Sequence, residues 1–473
     1  MFRSLHFVVG LCIGFALVQS EIRAAKPNIV FILADDMGWN NLSCYGSDLH
    51  ETPRLDRLAT EGVRFTNAYS ASPVCSPTRA AILTGKSPAR LKMTIWREGA
   101  AQGQGNRPLT VKALDSLPIS HLTIAEVLKQ AGYYTAHVGK WHVGRPEGYP
   151  QPHGFRVNIG GTLWGAPETY FYPYNEDYAD YFESWRYVPD LEPGKAGDYL
   201  TDRLTDKALE IIESCQDRPF FLNLWYHSVH TPVEGKPSLV EKYKQKIKET
   251  SPSVHRNPYL AAMVESMDQN VGRILDRLEE LGLSDNTIVV FNSDNGGYIG
   301  SGKRHPDIPV TNNSPLRSGK GSCYEGGIRV PLIMRAPGSL RGAVCDTPVY
   351  SCDFYPTFLA MTGQSGEAQD QLDGVDLSPL LRRAGATVDR DALQFHYPHY
   401  YPTTTPVSSI REGDWKLLHY YEDARVELYR LSEDLSESRE CSQQYPRVVE
   451  RLQSRLRAWL LDVSAELPQA TSN

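Results

Sequence analysis

The sequence predicts an α/β protein with a large, mostly parallel mixed sheet sandwiched by helices, and a smaller C-terminal subdomain with an antiparallel sheet. Two apolar runs, 28–34 and 287–291, have the length of strands that are buried on both faces of a parallel sheet. Helical patterns such as that at 260–281 fill the intervals between strands. This alternation of strands and helices is typical of a parallel sheet covered on both faces.

The pattern of short strands near the carboxyl end predicts a separate subdomain. Residues 392–431 carry closely spaced, hairpin-like strands, as in the run 408–421. A helical pattern at 445–463 closes the chain. We therefore divide the mature chain into an N-terminal domain at 26–385 and a C-terminal subdomain at 386–473.

The amino terminus has the pattern of a secretory signal peptide. Arg3 precedes an apolar stretch at 7–18, and small residues follow at Ser20 and Ala25. The stretch is too short, and wrongly flanked, for a membrane span. We therefore predict that residues 1–25 are a signal peptide and that no segment spans a membrane. The expected location is secreted or periplasmic, or lysosomal in a eukaryote.

The charge of the chain argues against a nucleic-acid partner. The whole sequence has a formal net charge of −7, and loss of Arg3, Glu21 and Arg23 with the signal peptide leaves 47 basic and 55 acidic residues. An acidic protein does not attract polyanions through its overall charge. A polyanionic ligand stays a candidate where a local basic pocket captures it.

Oxygen-bearing side chains follow both of the apolar strands. Asp35 and Asp36 come directly after the first strand, and Asp294 and Asn295 follow the second. Open α/β folds place their ligands at the carboxyl ends of the strands. Adjacent carboxylates are costly without a cation, and this oxygen-rich set suits calcium or magnesium better than zinc. The alternative is that these residues cap a helix or form ordinary turns.

A cysteine motif supplies a candidate nucleophile. Cys75 begins the pentapeptide Cys-Ser-Pro-Thr-Arg, which ends at Arg79. Pro77 suits the first turn of a helix, and 80–83 are good helix formers. The positive end of the helix dipole would favour an anion at this position. The alternative interpretation is a buried cysteine that happens to precede a helix.

Several cationic side chains are further candidates. Lys140 and His142 follow a helical stretch at 121–130, and the period of a strand predicts that both point to the same face. Taken alone, a lysine or histidine is more often solvated or structural. His227 and His230 follow a predicted strand at 218–226 and are further candidates. Lys320, in a glycine-rich segment, is another.

Taken together, these segments resemble the type I sulfatases, the arylsulfatase-like, formylglycine-dependent members of the alkaline phosphatase superfamily. The order and spacing of the motifs carry the resemblance, which runs from residue 27 to about residue 337 and continues in the C-terminal part. It implies an alkaline-phosphatase-like fold and makes 26–385 the catalytic domain. The residues implied for catalysis are Cys75, Arg79, Lys140, His142, His230 and Lys320. Those implied for metal binding are Asp35, Asp36, Cys75, Asp294 and Asn295.

The resemblance also implies a modified nucleophile. A formylglycine-generating enzyme would convert Cys75 to 3-oxoalanine (formylglycine), and Ca²⁺, or Mg²⁺ as the alternative, would complete the site. One hydroxyl of the hydrated aldehyde would attack sulfur while His230 or Lys320 protonates the leaving oxygen. His142 would then deprotonate the other hydroxyl, so that sulfate leaves and the aldehyde reforms.

The implied function is hydrolysis of sulfate esters, with a sulfated saccharide or an aryl sulfate as substrate. The first alternative is a phosphoester or phosphonate ester hydrolase of the same superfamily, which can share the metal pocket. The second is a catalytically silent sugar-binding protein. That alternative is disfavoured because every charged component of the pocket is present.

Two aromatic clusters are candidates for a sugar-binding cleft, because flat rings and imidazoles stack on and hydrogen-bond to carbohydrate. His396 and His399 in the segment 396–401 are candidate substrate contacts, and His227 is another. Ordinary loop packing is the alternative for both clusters. The other cluster comprises Tyr170, Tyr172, Tyr174, Tyr178, Tyr181 and Trp185.

Overall fold

The computed structural model describes residues 26–102, 105, 107–175, 186–364 and 371–471. The predicted signal peptide therefore lies outside the described residues. The α-helices of the described part are α1 (Pro53–Glu61), α2 (Cys75–Thr84), α3 (Pro88–Leu91), α4 (Arg97–Gln102), α5 (Ile124–Gln130), α6 (Leu200–Ser214), α7 (Pro237–Thr250), α8 (Pro258–Glu280), α9 (Glu325–Ile328), α10 (Phe354–Thr362), α11 (Ser378–Arg382) and α12 (Pro446–Asp462).

The strands of the described part form one large sheet and several small ones. They are β1 (Asn28–Ala34), β2 (Val63–Phe65), β3 (Ala68–Tyr69), β4 (Leu109–Thr110), β5 (Tyr134–Gly139), β6 (Val157–Ile159), β7 (Phe220–Trp225), β8 (Thr287–Ser293), β9 (Ser301–Gly302), β10 (His305–Pro309), β11 (Leu332–Arg335), β12 (Ala343–Cys345), β13 (Val349–Tyr350), β14 (Ala392–Tyr397), β15 (Val407–Glu412), β16 (Trp415–Tyr420), β17 (Val426–Arg430) and β18 (Gln469–Ala470).

The main sheet is mixed and mostly parallel. Its eight strands lie in the order β12-β2-β11-β8-β1-β7-β5-β6. Strand β11 is antiparallel to both of its neighbours, and the other adjacent pairs are parallel. The prediction of a large, mostly parallel mixed sheet is therefore confirmed.

Helices cover both faces of this sheet, as its sequence pattern predicts. Along the central strand β1, Val30 and Ile32 pack into one apolar core with α1, α6 and α8. Ile29 and Phe31 pack into the opposite core with α2, α5 and α10. Complete burial of each such side chain contributes about 1.5–3 kcal/mol, so β1 ties the two layers together.

The C-terminal part forms a separate antiparallel sheet in the order β14-β15-β16-β17, which confirms that prediction. Helix α12 covers one face, where Leu452 and Leu456 pack against Ile410 and Leu417. The other face packs against the main body through a cluster that includes Phe395. The domain boundary at residue 385 stays a prediction.

Two local predictions need correction. The helix expected at 121–130 begins at Ile124, because the Thr123 side chain caps it by accepting a hydrogen bond from the Glu126 amide. Strand β5 ends at Gly139, so the prediction that strand alternation aligns Lys140 and His142 is wrong. Gly139 has φ of 102°, and a Cβ there would lie 2.0 Å from the Trp225 carbonyl oxygen. The chain therefore leaves the sheet at this glycine.

Among the described residues, no helix combines the length and the apolar character needed to cross a bilayer.

Candidate active site

Four neighbouring strands, β8, β1, β7 and β5, bring most of the candidate residues together. These strands are parallel, so their carboxyl ends meet at one edge of the sheet. The residues that follow them are Asp294 and Asn295, Asp35 and Asp36, His227 and His230, and Lys140 and His142. The predicted convergence of widely separated segments at this edge is present in the structure.

Cys75 lies at the centre of this group. It is the first residue of α2 and is buried, with 2% of its surface exposed. Its Sγ lies 3.4 Å from Asp35 Oδ1 and 3.5 Å from Lys320 Nζ. Burial raises the pKa of the thiol although Lys140 and Lys320 oppose that rise, so an unmodified Cys75 is protonated at neutral pH.

The acidic residues around Cys75 fit a divalent cation. Ligand atoms of Asp35, Asp36, Cys75 and Asp294 all lie within 4.8 Å of one another. Asn295 adds a buried Oδ1 atom that has no hydrogen-bond partner among the described residues. Burial raises the pKa of Asp35 to about 7, against the opposing charge of Lys140. Clustered buried oxygen atoms of this kind suit a hard cation with oxygen ligands.

Asp36 is held between two candidate catalytic side chains. Lys320 Nζ donates to Asp36 Oδ2 at 2.9 Å, and His230 Nε2 lies 3.5 Å from the same oxygen atom. Burial by itself would raise the pKa of Asp36, but Lys320 and His230 together hold it below its usual value. Burial lowers the pKa of His230 to about 3, so Lys320 is the cation of this pair. Asp36 is therefore an anion that links the metal cluster to Lys320 and to the His230 imidazole.

Arg79 and Lys140 brace the other two carboxylates. Arg79 is fully buried, and its Nε donates to Asp294 Oδ2 at 2.9 Å while its Nη1 donates to the Lys140 carbonyl at 2.8 Å. Lys140 Nζ in turn donates to Asp35 Oδ2 at 2.6 Å. The two cations thus fix the positions of Asp35 and Asp294 beside Cys75.

The sequence analysis did not identify one acidic residue near the site. Glu98 in α4 accepts a hydrogen bond from His142 Nε2, with 2.7 Å between Oε2 and Nε2. Burial lowers the pKa of His142 to about 4, although the Glu98 charge opposes that shift. No sequence pattern marks Glu98, because only the tertiary fold brings α4 to the loop after β5.

The candidate substrate histidines occupy different environments. His227 is buried, and within the described part of the chain its Nδ1 has no hydrogen-bond partner. The ring of His396 is bonded on both sides, to Ser408 Oγ at 2.6 Å and to the Glu466 carbonyl at 3.0 Å. We therefore do not include His396 in the proposed site.

His399 is also buried, but it borders a cavity. Its Nε2 lies 2.7 Å from Thr94 Oγ1, and no described residue forms a hydrogen bond with its Nδ1. The cavity, of about 490 Å³, is also lined by Lys92 and Lys112. A substrate contact of His399 stays a prediction.

The aromatic cluster that begins at Tyr170 supports the loop that carries His227 and His230. The Tyr170 hydroxyl donates to the carbonyls of His227, at 2.5 Å, and His230, at 3.0 Å. The rings of Tyr172 and Tyr174 contact each other edge to face. Tyr170 therefore has the role of loop packing, which was one of the two interpretations of this cluster. Tyr178, Tyr181 and Trp185 lie outside the described residues.

Two sulfatase-related family models match most of the chain. The sulfatase family model matches residues 27–364, and a model described as N-sulphoglucosamine sulphohydrolase, C-terminal, matches residues 319–462. The chain belongs to the sulfatase family. A sulfatase of Formosa agariphila is 33% identical over an alignment that covers 96% of this chain and 93% of that protein. Human N-acetylgalactosamine-6-sulfatase is 33% identical over 414 residues, covering 82% of this chain and 74% of the human protein.

Solved structures agree with this membership of the sulfatases. The crystal structure of Ps i-CgsB superposes with a TM-score of 0.76 at 29% sequence identity, covering 92% of this chain and 93% of that one. A second structure of Ps i-CgsB, in complex with k-i-k-neocarrahexaose, gives a TM-score of 0.74 at 28% identity, with 92% and 93% covered. This sulfatase is thus a sulfuric ester hydrolase with the alkaline phosphatase fold. Its acidic cluster fits the divalent metal that sulfatases generally use beside a modified cysteine.

Proposed function

We propose that this sulfatase releases inorganic sulfate from a sulfated saccharide, leaving an alcohol. The observation that carries the proposal is the buried meeting of Cys75, Lys320 and the acidic cluster at one edge of the sheet. A sulfate monoester is an anion, and its leaving oxygen gains charge as the ester bond breaks. Preorganised positive charge in a buried site stabilises both the bound ester and the charge on its leaving oxygen.

The proposed metal site uses Asp35, Asp36, Asp294 and Asn295 together with residue 75. Calcium is the cation we propose, with magnesium as the alternative, because the ligands are predominantly oxygen atoms. When bound, the cation would neutralise charge on the substrate and on residue 75. Arg79 and Lys140 keep two of these carboxylates in place through the contacts described above.

The proposed nucleophile is Cys75 after conversion to 3-oxoalanine by a formylglycine-generating enzyme. As an aldehyde hydrate this residue supplies two hydroxyl groups on one carbon, one to attack sulfur and one to drive the release of sulfate. An unmodified serine in its place would have no second hydroxyl on that carbon to drive the release of sulfate. The N-terminus of α2 favours negative charge at this position.

The proton transfers fall to three side chains. Lys320 Nζ lies 3.5 Å from Cys75 Sγ and is a candidate donor to the leaving oxygen. His230 is the alternative donor, on the other side of Asp36. His142 is the proposed base for the second hydroxyl, and Glu98 stabilises the imidazolium that forms.

The substrate class and the location rest on the relatives and on the amino terminus. One relative is named for N-acetylgalactosamine 6-sulfate, and another was solved with k-i-k-neocarrahexaose. Both names favour a sulfated saccharide over a simple aryl sulfate as the natural substrate. With residues 1–25 as a signal peptide, we propose a secreted or periplasmic enzyme, or a lysosomal one in a eukaryote.

The test compares reactions on matched substrates. The protein is coexpressed with a formylglycine-generating enzyme, and mass spectrometry of the peptide that contains residue 75 establishes conversion. We expect a much higher kcat/KM on 4-nitrophenyl sulfate than on 4-nitrophenyl phosphate, and sulfate release from a chondroitin 6-sulfate tetrasaccharide or from k-i-k-neocarrahexaose. Cys75→Ser should stop after at most one turnover.

Other results would contradict the proposal. A preference for the phosphate ester would favour the phosphoester hydrolase. Retained turnover in Cys75→Ser would exclude the modified nucleophile. Failure of the converted enzyme to release sulfate from either saccharide or from the aryl sulfate would leave the sugar-binding alternative.

A further inference from the structure

A second cavity lies at the junction between the catalytic domain and the C-terminal sheet. Its volume is about 850 Å³. The residues that distinguish it are aromatic or basic: Trp96, Tyr400, Tyr401, Arg107, Arg317 and Arg425.

Both walls of this cavity are continuous with the candidate active site. On one wall, Thr403 Oγ1 donates to the Lys320 carbonyl at 2.8 Å, and Tyr401 packs so closely on Gly321 that a Cβ there would lie 2.0 Å from the ring. On the other wall, Trp96 precedes Arg97, whose amide lies 3.2 Å from Ser76 Oγ. Ser76 follows Cys75 in the chain, and Lys320 contacts Cys75. The cavity therefore adjoins the position of the reacting ester.

The aromatic residues provide flat surfaces of the kind that pack against sugar rings. Trp96 and Tyr401 meet edge to face, with 5.5 Å between ring centroids. Trp96 is only partly buried, so part of its ring is accessible. Aromatic faces of this kind contribute large apolar contact area together with polar edges.

The basic residues give the cavity a positive charge within an acidic protein. The Arg107 guanidinium lies 5.2 Å from the Tyr400 ring centroid, and that of Arg317 lies 3.9 Å from the Tyr324 centroid. Neither arginine forms an ion pair with an acidic residue in the described part of the chain. Arg425 pairs with acidic residues, and Glu422 is the one acidic residue among those lining the cavity. The Glu427 carboxylate partly offsets the charge of Arg317, to which it is linked through the Tyr429 hydroxyl. Arg107 is therefore the arginine whose charge is most available to a ligand.

We propose that this cavity is a subsite for a neighbouring sugar that carries its own anionic group, a sulfate or a carboxylate. The inference deepens the proposed function and rests on it, because the occupant belongs to the saccharide whose sulfate is removed at Cys75. A guanidinium matches the paired oxygen atoms of a sulfate or carboxylate. Recognition of the second charge would explain how an acidic protein selects a polyanionic substrate.

The test measures binding without turnover. Protein expressed without the formylglycine-generating enzyme keeps Cys75 as a thiol, and calorimetry records its affinity for two probes. The first is k-i-k-neocarrahexaose, whose charges are all sulfates, and the second is a chondroitin 6-sulfate tetrasaccharide, which also carries carboxylates. We expect Arg107→Gln to weaken binding of at least one probe about tenfold, as loss of a charge-assisted hydrogen bond would.

Arg218→Gln is the matched control. Arg218 also lies over a tyrosine, with 4.5 Å to the Tyr134 ring centroid, but it precedes β7 and so lies at the opposite end of that strand from the site. Arg317 is a poorer choice for substitution, because its Nη1 also bonds the Tyr429 hydroxyl and the Glu437 carbonyl. Thermal unfolding of both variants shows whether each is folded.

The outcomes separate the subsite from the reaction. Equal affinities for Arg107→Gln and Arg218→Gln, or no binding of either probe by the parent protein, would overturn the subsite. If converted enzyme still released sulfate in that case, the proposed function would survive alone. Binding that depends on Arg107 but is never followed by sulfate release would support the cavity as a polyanion site and reject the proposed reaction.

Discussion

His142 Nε2 and Glu98 Oε2 are 2.7 Å apart in a partly buried contact between the loop after β5 and helix α4. The other face of the imidazole packs against Gly165, where a Cβ would lie 2.5 Å from His142 Cε1. The ring is therefore held on two sides. This contact supplies a direct test of the role proposed for His142.

Glu98→Gln should lower kcat about tenfold, because the imidazolium formed when His142 accepts a proton loses its counterion. Burial already lowers the pKa of His142 to about 4, and Glu98 opposes that shift. Activity that needs neutral His142 rises with pH through its pKa, so the acid limb of the kcat profile should move to lower pH in the variant. Steady-state rates on an aryl sulfate measure both effects. The exposed Glu147→Gln is the control, and an unchanged profile in Glu98→Gln would exclude the pairing from catalysis.

Removal of divalent cations should abolish activity and lower the midpoint of thermal unfolding. The ligand atoms of Asp35, Asp36 and Asp294 lie within 4.8 Å of one another, and a bound cation would relieve the repulsion between these carboxylates. A cation at 100 times its Kd stabilises the fold by about 2.7 kcal/mol. Calorimetry after EDTA treatment, followed by Ca²⁺ or Mg²⁺, measures this effect and ranks the two ions. Asp36→Asn should reduce the response, whereas a midpoint indifferent to EDTA and Ca²⁺ in the parent protein would argue against a metal site.

Lys416→Met should destabilise the contact between the C-terminal sheet and helix α9. Lys416 Nζ lies 2.8 Å from Glu325 Oε1 and 2.8 Å from Glu437 Oε1, and all three side chains are almost fully buried. Removing the ammonium group from buried carboxylates costs about 3–5 kcal/mol. Urea unfolding followed by tryptophan fluorescence gives the free energy of unfolding.

The control for this change is Lys244→Met, in which an exposed lysine pairs loosely with Glu241. The loss there should be less than about 1 kcal/mol. Equal losses of unfolding free energy for the two variants would show that the buried lysine does not hold the C-terminal sheet against α9.

Glu437→Gln should change how stability depends on pH. Burial raises the pKa of Glu437 from 4.5 to about 7, against the charge of Lys416. The folded state therefore holds this proton more tightly than the unfolded chain does, and that stabilisation is present below pH 4.5 and lost as the pH rises through about 7. The glutamine stays neutral at every pH, so the variant escapes this loss. Relative to the parent protein, its midpoint of thermal unfolding should be higher at about pH 8 than at about pH 5. Exposed Glu433→Gln should show no such trend, and an identical trend in both variants would contradict the assignment.

Much of the fold could be predicted because its signals are local. The apolar run of β1, the paired strands β15 and β16, and helix α12 each follow from the side-chain pattern of a short segment. The start of α2 at Cys75 likewise follows from its proline and helix formers. The strand ends then predicted where the metal-binding candidates would meet.

Other features of the site depend on contacts between distant parts of the chain. His142 leaves the line of β5 because Gly139 turns against Trp225, and its partner Glu98 comes from a helix 44 positions earlier. The bonds that use both ring nitrogens of His396 come from Ser408 and Glu466. No local pattern encodes these partners.

The sequence by itself determined the elements, the order of the motifs and the chemical types of the site residues, because hydrophobic period and strand-end chemistry act over a few residues. Only the tertiary structure decided which groups touch. The Asp36 amide donates a hydrogen bond to Asp294, which lies 258 positions away in the chain. Lys320 donates one to Asp36 from 284 positions away. Such contacts arise from the order in which strands pack and from how closely loops can approach, and burial then sets the protonation of the groups brought together.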